Sequence, residues 1–174
     1  MEQSHPLGEY ARIISTLSQH GVEYVICGGV AAVFHGVPRN TQDIDILVRM
    51  TGENLAKLVN AARELHMQPR IPEPLDALLD PSKRQDWVER KHALVYTLVS
   101  SNNPLQIDVF LKYPVSFDEA WANARVGQVS GHEFRLTSIA DLIRAKRAVT
   151  PPRDTDEFDI RHLERIIEHG KSER

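Results

Sequence analysis

One α+β (α/β) domain, a mixed β-sheet flanked by helices and closed by a C-terminal helical segment, is the fold class this sequence predicts, on three observations. A short apolar run, Val22–Cys27, leads through Gly28-Gly29 into a helix-like stretch. An alternating acid–apolar run, DIDILV at 43–48, is followed by a long amphipathic pattern. Two β-rich runs, Ala93–Val99 and Leu105–Leu111, are joined by the turn signal SNNP, as in a hairpin. Residues 1–174 read as one domain, with a sheet-bearing core at about 22–136 and C-terminal helices at about 138–170.

Each element follows from local pattern. From Gly8 to His20, Tyr10, Ile13, Ile14 and Leu17 have helical spacing, and Gly21 closes the segment. Val22–Cys27 is β-branched and apolar, hence a buried strand, and Val30–His35 reads as a short helix. Gly36–Asn40, with Pro38, is a loop. Asp43–Val48 has strand periodicity, and Thr51 with Glu53 opens a helix to about His66. The proline-rich stretch from Met67 to Trp87 predicts a loop holding one short helix near Leu75–Leu79. After the hairpin, Asp118–Ala124 suggests a short helix, and Val126–Val129 with Glu133–Leu136 a second hairpin about Ser130-Gly131. Ser138–Val149 is helical with a near capping box at Ser138 and Asp141, and the last helix runs from about Asp156 to His169. Arg153–Glu157 reads as a charged linker between them.

Composition sets bounds. With 41% hydrophobic and 26% charged residues the chain is ordinary globular protein, long enough to bury a core without disulfides. A net charge of −3, from 21 basic and 24 acidic residues, gives no global field for nucleic acid, and leaves a local basic patch open. Cys27 is the single cysteine and reads as a small buried hydrophobe. The eight histidines show no zinc-site spacing, and His35, at a helix end, is expected to be structural. MEQSHPLGEY has no signal-peptide pattern, and no apolar run approaches the ~20 residues of a membrane span, so a cytoplasmic protein with no membrane partner is expected.

Chemistry is expected from three acids. Asp43 and Asp45 lie two apart on one strand, so both face the same side about 7 Å apart. Asp108, in QIDVFL, has Ile107 and Val109 on its alternate face. If its strand pairs beside the first, three carboxylates share one patch. Two carboxylates about 5 Å apart repel by about 3 kcal/mol at an effective dielectric near 20. Mg²⁺ (or Mn²⁺) offsets this, and an ion pair about 3.5–4 Å apart can clamp a triphosphate and activate a hydroxyl. Gly28 and Gly29, lacking Cβ, would let a phosphate approach backbone N–H groups at a helix start, although the pair is neither a Walker loop nor G-x-G-x-x-G. Taken alone, each feature also has a plain reading: a half-exposed strand and a turn.

Taken in order, the pattern is more specific. ICGG, thirteen residues (Val30 to Gln42), DIDI and a later QIDVF resemble the signature of the DNA-polymerase-β-like nucleotidyltransferase superfamily. PRNTQDIDI, and DLIRAKRAV followed by DEFDIRHLE, are similar to its small stand-alone branch, which includes abortive-infection-type toxins. The match spans roughly Val22 to Leu163, apart from Met67–Lys91.

That resemblance implies a nucleotidyltransferase fold and an enzyme moving a nucleoside monophosphate from an NTP, such as ATP, to an acceptor hydroxyl on RNA, protein or a small molecule. It implies Asp43, Asp45 and Asp108 as catalytic metal ligands, Asp108 also near the acceptor hydroxyl, and Gly28, Gly29, Arg39, Thr41 and Lys146 as nucleotide-binding candidates. Arg39 has a second reading as partner of a nearby carboxylate, and Lys146 as a solvated residue or salt-bridge partner. Asp156 and Asp159 are expected to face solvent or cap the last helix. Two rivals stand beside the transferase. One is a catalytically silent member acting as a binding or regulatory protein, with a cognate toxin or antitoxin as partner. The other is a different metal-dependent phosphotransferase or phosphohydrolase that displays three acids.

Overall fold

A computed structural model describes residues 6–101 and 103–172. In chain order its elements are α1 (Pro6–Gln19), β1 (Tyr24–Cys27), α2 (Gly28–Phe34), β2 (Asp43–Val48), α3 (Gly52–Glu64), β3 (Gln68–Pro69), a 3₁₀ helix (Leu75–Leu79), α4 (Pro81–Glu89), β4 (Val95–Ser100), β5 (Asn103–Phe110), α5 (Phe117–Asn123), β6 (Arg125–Val129), β7 (His132–Leu136), α6 (Ile139–Arg147) and α7 (Asp154–Ser172). The strands form one mixed sheet in the order β3-β4-β5-β2-β1-β7-β6. The expected α+β architecture with two hairpins is present. β5 runs parallel to β2, and β1 antiparallel to it.

Burial sets the register. Ile44, Ile46 and Val48 are at most 1% exposed, and pack with Ile26, Leu98, Ile107 and Val109 beneath Ile13, Ile14 and Leu17 of α1 and Leu55 and Leu58 of α3. Burying each such side chain stabilises the fold by about 1.5–3 kcal/mol. A one-residue slip of β2 would drive Asp43 and Asp45 into that core, so the apolar face holds the acids on the other. On the acid-bearing face a smaller cluster, Cys27, Leu47, Val115 and Ala120, seats α5. Cys27 is fully buried there, as expected. α3 is anchored at its start: Thr51 caps it by accepting from the Asn54 N–H at 3.3 Å, and the Asn54 side chain in turn accepts from the Glu23 N–H at 2.8 Å.

Three expectations are corrected. The stretch read as a loop with one short helix also holds β3 and α4; Asp80 caps α4 by accepting from the Ser82 N–H at 2.8 Å, and Pro81 opens it. Proline there starts a helix rather than breaking one, because its fixed φ and missing N–H suit the first turn. The charged linker is mostly the first turn of α7, where Asp154, Asp156 and Glu157 sit at the positive helix end. Finally, α2 begins at Gly28, so the glycine pair lies within its first turn rather than ahead of it. Among the described residues no helix is long and apolar enough to cross a membrane.

Candidate active site

Asp45 and Asp108 are direct partners across the parallel β2–β5 pair, and Asp43 lies opposite Gln106. Paired residues on adjacent strands project from the same side, about 4.8 Å apart between strands. All three acids therefore share one face of the sheet. Among the described residues no three His, Cys, Asp or Glu side chains converge into a ready-made metal cluster. Two of the carboxylates are instead held by neighbours. Asp45 Oδ2 accepts from the Gly29 N–H at 3.2 Å, and Asp108 Oδ1 accepts from the Thr97 hydroxyl at 2.5 Å.

The electrostatics show the strain of this grouping. Burial pushes the Asp45 carboxyl up from 3.8 to about 7; the Gly29 N–H opposes the rise, Asp108 and Asp43 add to it, and Lys146 opposes it. Burial and then Asp108 also raise Asp43, against the pull of Arg70 and Arg39. An all-oxygen, anionic donor set in which Asp43 and Asp45 resist ionising fits a hard divalent cation, which would favour their charged forms.

The glycines serve these residues directly. A Cβ on Gly28, whose φ is +62°, would stand 1.9 Å from Asp45 Oδ2. A Cβ on Gly29 would stand 3.0 Å from Thr41 Oγ1 and 3.3 Å from an Arg39 guanidinium nitrogen. The phosphate-cradle expectation is thus qualified: the Gly29 N–H is engaged by Asp45, and the space above Gly28 is filled by its carboxylate. Thr41 is held by Tyr10, whose hydroxyl donates to its carbonyl at 2.5 Å.

Arg39 and Lys146 meet on one carboxylate. Asp159 Oδ2 accepts from Arg39 Nη1 at 2.7 Å and lies 2.7 Å from Lys146 Nζ. Lys146 also reaches Asp156 Oδ1 at 3.2 Å, and Arg153 Nε donates to Asp156 Oδ2 at 2.6 Å. Arg39 follows its carboxylate-pairing reading. Lys146 is a salt-bridge partner, but at 7% exposed it is not solvated. The expectation that Asp156 and Asp159 face solvent is wrong: they are 2% and 0% exposed, because α7 packs against α6 and both acids neutralise the buried Lys146 of α6. Burial would raise the Asp156 carboxyl, but Arg153 and Lys146 outweigh it and hold it low. His35 is structural as expected, donating from Nε2 to the Thr137 carbonyl at 2.7 Å.

Sequence reasoning missed Thr97, Gln106 and Arg70. Gln106 Nε2 donates to Asp108 Oδ2 at 3.3 Å, and Arg70 donates to Gln106 Oε1. The signal open to sequence was the polar position two residues before Asp108, which the strand period puts on the same face.

No protein-family model and no curated protein matches this chain. Solved structures do. A lincosamide antibiotic adenylyltransferase, LnuA, solved lincomycin-bound, superposes with a TM-score of 0.60 at 14% identity, covering 91% of this chain and 96% of its own. The antibiotic-resistance factor ANT(2'')-Ia gives a TM-score of 0.56 at 14% identity over 99% and 94% of the two chains. An antigenic nucleotidyltransferase-like protein from Paracoccidioides brasiliensis gives 0.55 at 16% identity over 92% and 76%. The chain has the nucleotidyltransferase fold.

Proposed function

We propose, from the nucleotidyltransferase fold and the acids it aligns, that this protein is a metal-dependent nucleotidyltransferase moving a nucleoside monophosphate from an NTP to an acceptor hydroxyl. The observation that carries the reading is the pairing of Asp45 with Asp108 in register on parallel strands, with Asp43 on the same face and Gly28 making room for the carboxylate. Asp43, Asp45 and Asp108 would hold Mg²⁺ or Mn²⁺. Bound there, the cation supplies charge neutralisation for the triphosphate and lowers the pKa of the attacking hydroxyl.

This chain's own residues would do the rest. Asp108, on the β4 side of the acid row, takes the proton as the acceptor oxygen bonds to the α-phosphorus and the bond to the bridging oxygen breaks, releasing pyrophosphate. Thr41, and the edge of the Arg39 guanidinium not paired with Asp159, flank the first turn of α2 and would meet phosphate oxygens there. Lys146, whose charge acts on Asp45 from its pairing with Asp156 and Asp159, lowers the cost of ionising it. Such a site works mainly by positioning and charge stabilisation. One structural neighbour is a lincosamide antibiotic adenylyltransferase, and ANT(2'')-Ia was solved in complex with adenylyl-2''-tobramycin. A small-molecule hydroxyl and ATP are accordingly the first acceptor and donor to try.

The test is incubation with each α-labelled NTP, Mg²⁺ or Mn²⁺, and hydroxyl-bearing small molecules, RNA or protein. Label should appear on an acceptor with stoichiometric pyrophosphate, and Asp45→Ala should abolish both. Release of γ-phosphate alone would point to hydrolysis instead, and no turnover with any donor to a silent binding protein.

A further inference from the structure

Asp108 receives hydrogen bonds on both carboxylate oxygens, from residues on two different strands. Thr97 is its register partner on β4, and the Thr97 hydroxyl donates to Oδ1 at 2.5 Å. Gln106, two residues earlier on β5, donates from Nε2 to Oδ2 at 3.3 Å. Behind Gln106 stands Arg70, whose guanidinium donates to Gln106 Oε1 and whose backbone N–H donates to the Thr97 carbonyl at 2.9 Å. The backbone of Arg70 thus holds Thr97, and its side chain holds Gln106.

The direction of this chain is fixed by chemistry. A guanidinium only donates, so Gln106 must turn its carbonyl to Arg70 and its NH₂ to Asp108. An ionised carboxylate only accepts, so the Thr97 hydroxyl must donate. Arg70, Gln106 and Thr97 all lie on the face that carries the acids, half-buried or exposed, where packing alone gives no reason for polar side chains to lock together.

We propose that Thr97, Gln106 and Arg70 are positioning residues that preset the Asp108 carboxylate for the cation. This rests on the acid-site reading above and extends it. Thr97 anchors Oδ1 toward β4, which turns the other oxygen away from β4. Oδ2 has only the longer contact from Gln106, so it is the oxygen released most easily to a cation. Arg70 governs which face of the Gln106 amide Asp108 meets. Loss of a hydrogen bond to a ligating carboxylate commonly weakens metal binding by 10–100-fold.

The experiment measures Mn²⁺ binding to the nucleotide-free protein by electron-spin resonance, beside kcat and KM for label transfer. Thr97→Val keeps the shape and removes the hydroxyl; it should weaken Mn²⁺ by about tenfold and lower kcat more than it raises KM for the NTP. Thr97→Ser should regain most of that affinity, which a purely structural role for the threonine would not predict. Arg70→Met, at an exposed position where unfolding is no concern, should weaken Mn²⁺ in the same direction by a smaller factor. If Asp45→Ala loses Mn²⁺ while Thr97→Val and Arg70→Met bind it as the parent does, the positioning role is overturned and the acid site stands. If the parent binds Mn²⁺ no better than Asp45→Ala, the acid site itself falls, and this proposal with it.

Discussion

Gly28 and Asp45 compete for one volume, which gives the glycine pair a physical meaning that a turn alone would not. At φ +62°, with Asp45 Oδ2 lying 1.9 Å from where its Cβ would be, Gly28 accepts no side chain without moving the acid. Gly28→Ala should cost about 1–2 kcal/mol from the left-handed backbone alone. It should also cut label transfer at least tenfold; denaturant unfolding and the transfer assay check the two effects separately. Asp45 carries a pH signature as well. Its carboxyl rises from 3.8 to about 7 on folding, so the folded state holds the proton more tightly than the unfolded chain. That stability is fully present below about pH 4 and is lost as pH rises toward about 7. In metal-free protein, urea midpoints should fall across this window, and Asp45→Asn should flatten the fall. Saturating Mn²⁺ should reverse the trend, because the cation binds the deprotonated form.

At the scale of elements, α6 and α7 are joined by buried charge as much as by apolar contact. Asp159, fully buried, serves both Arg39 and Lys146, and so ties the loop before β2 to the C-terminal helices. Removing one partner of a buried ion pair leaves the others uncompensated and typically costs 3–5 kcal/mol. Asp159→Ala should therefore destabilise the protein by about 3 kcal/mol, read from the denaturant midpoint. Arg147→Ala, which breaks the exposed pair with Glu164, should cost under about 1 kcal/mol. Most strands and the helices α3 and α6 were legible in the sequence because period and cap act locally: DIDILV alternates, and Thr51 and Ser138 cap. α4 was hidden because Pro81 resembles a breaker unless Asp80 is read as its cap. The burial of Asp156 and Asp159 was hidden because Lys146 and Arg39, which pair with them in the interior, lie 10 to 120 positions away in sequence.

For the whole molecule, the order of strands decides whether separate acids become a site. Spacing alone put Asp43 and Asp45 on one face, but only the parallel insertion of β5 beside β2 brings Asp108 level with Asp45. Sequence could state this only as a condition, since nothing local specifies which strands pair. Thr97 and Arg70 depend on the same long-range pairing, through β4 and β3, and lie outside the resemblance or carry no motif. The most direct test is an anomalous-scattering map of crystals grown with Mn²⁺ and a non-hydrolysable ATP analogue. The account predicts manganese about 2–2.5 Å from carboxylate oxygens of Asp43, Asp45 and Asp108, with the triphosphate on the same ion. Manganese elsewhere on the protein, with Asp45 still bonded to Gly29 and Asp108 to Thr97 and Gln106, would contradict it.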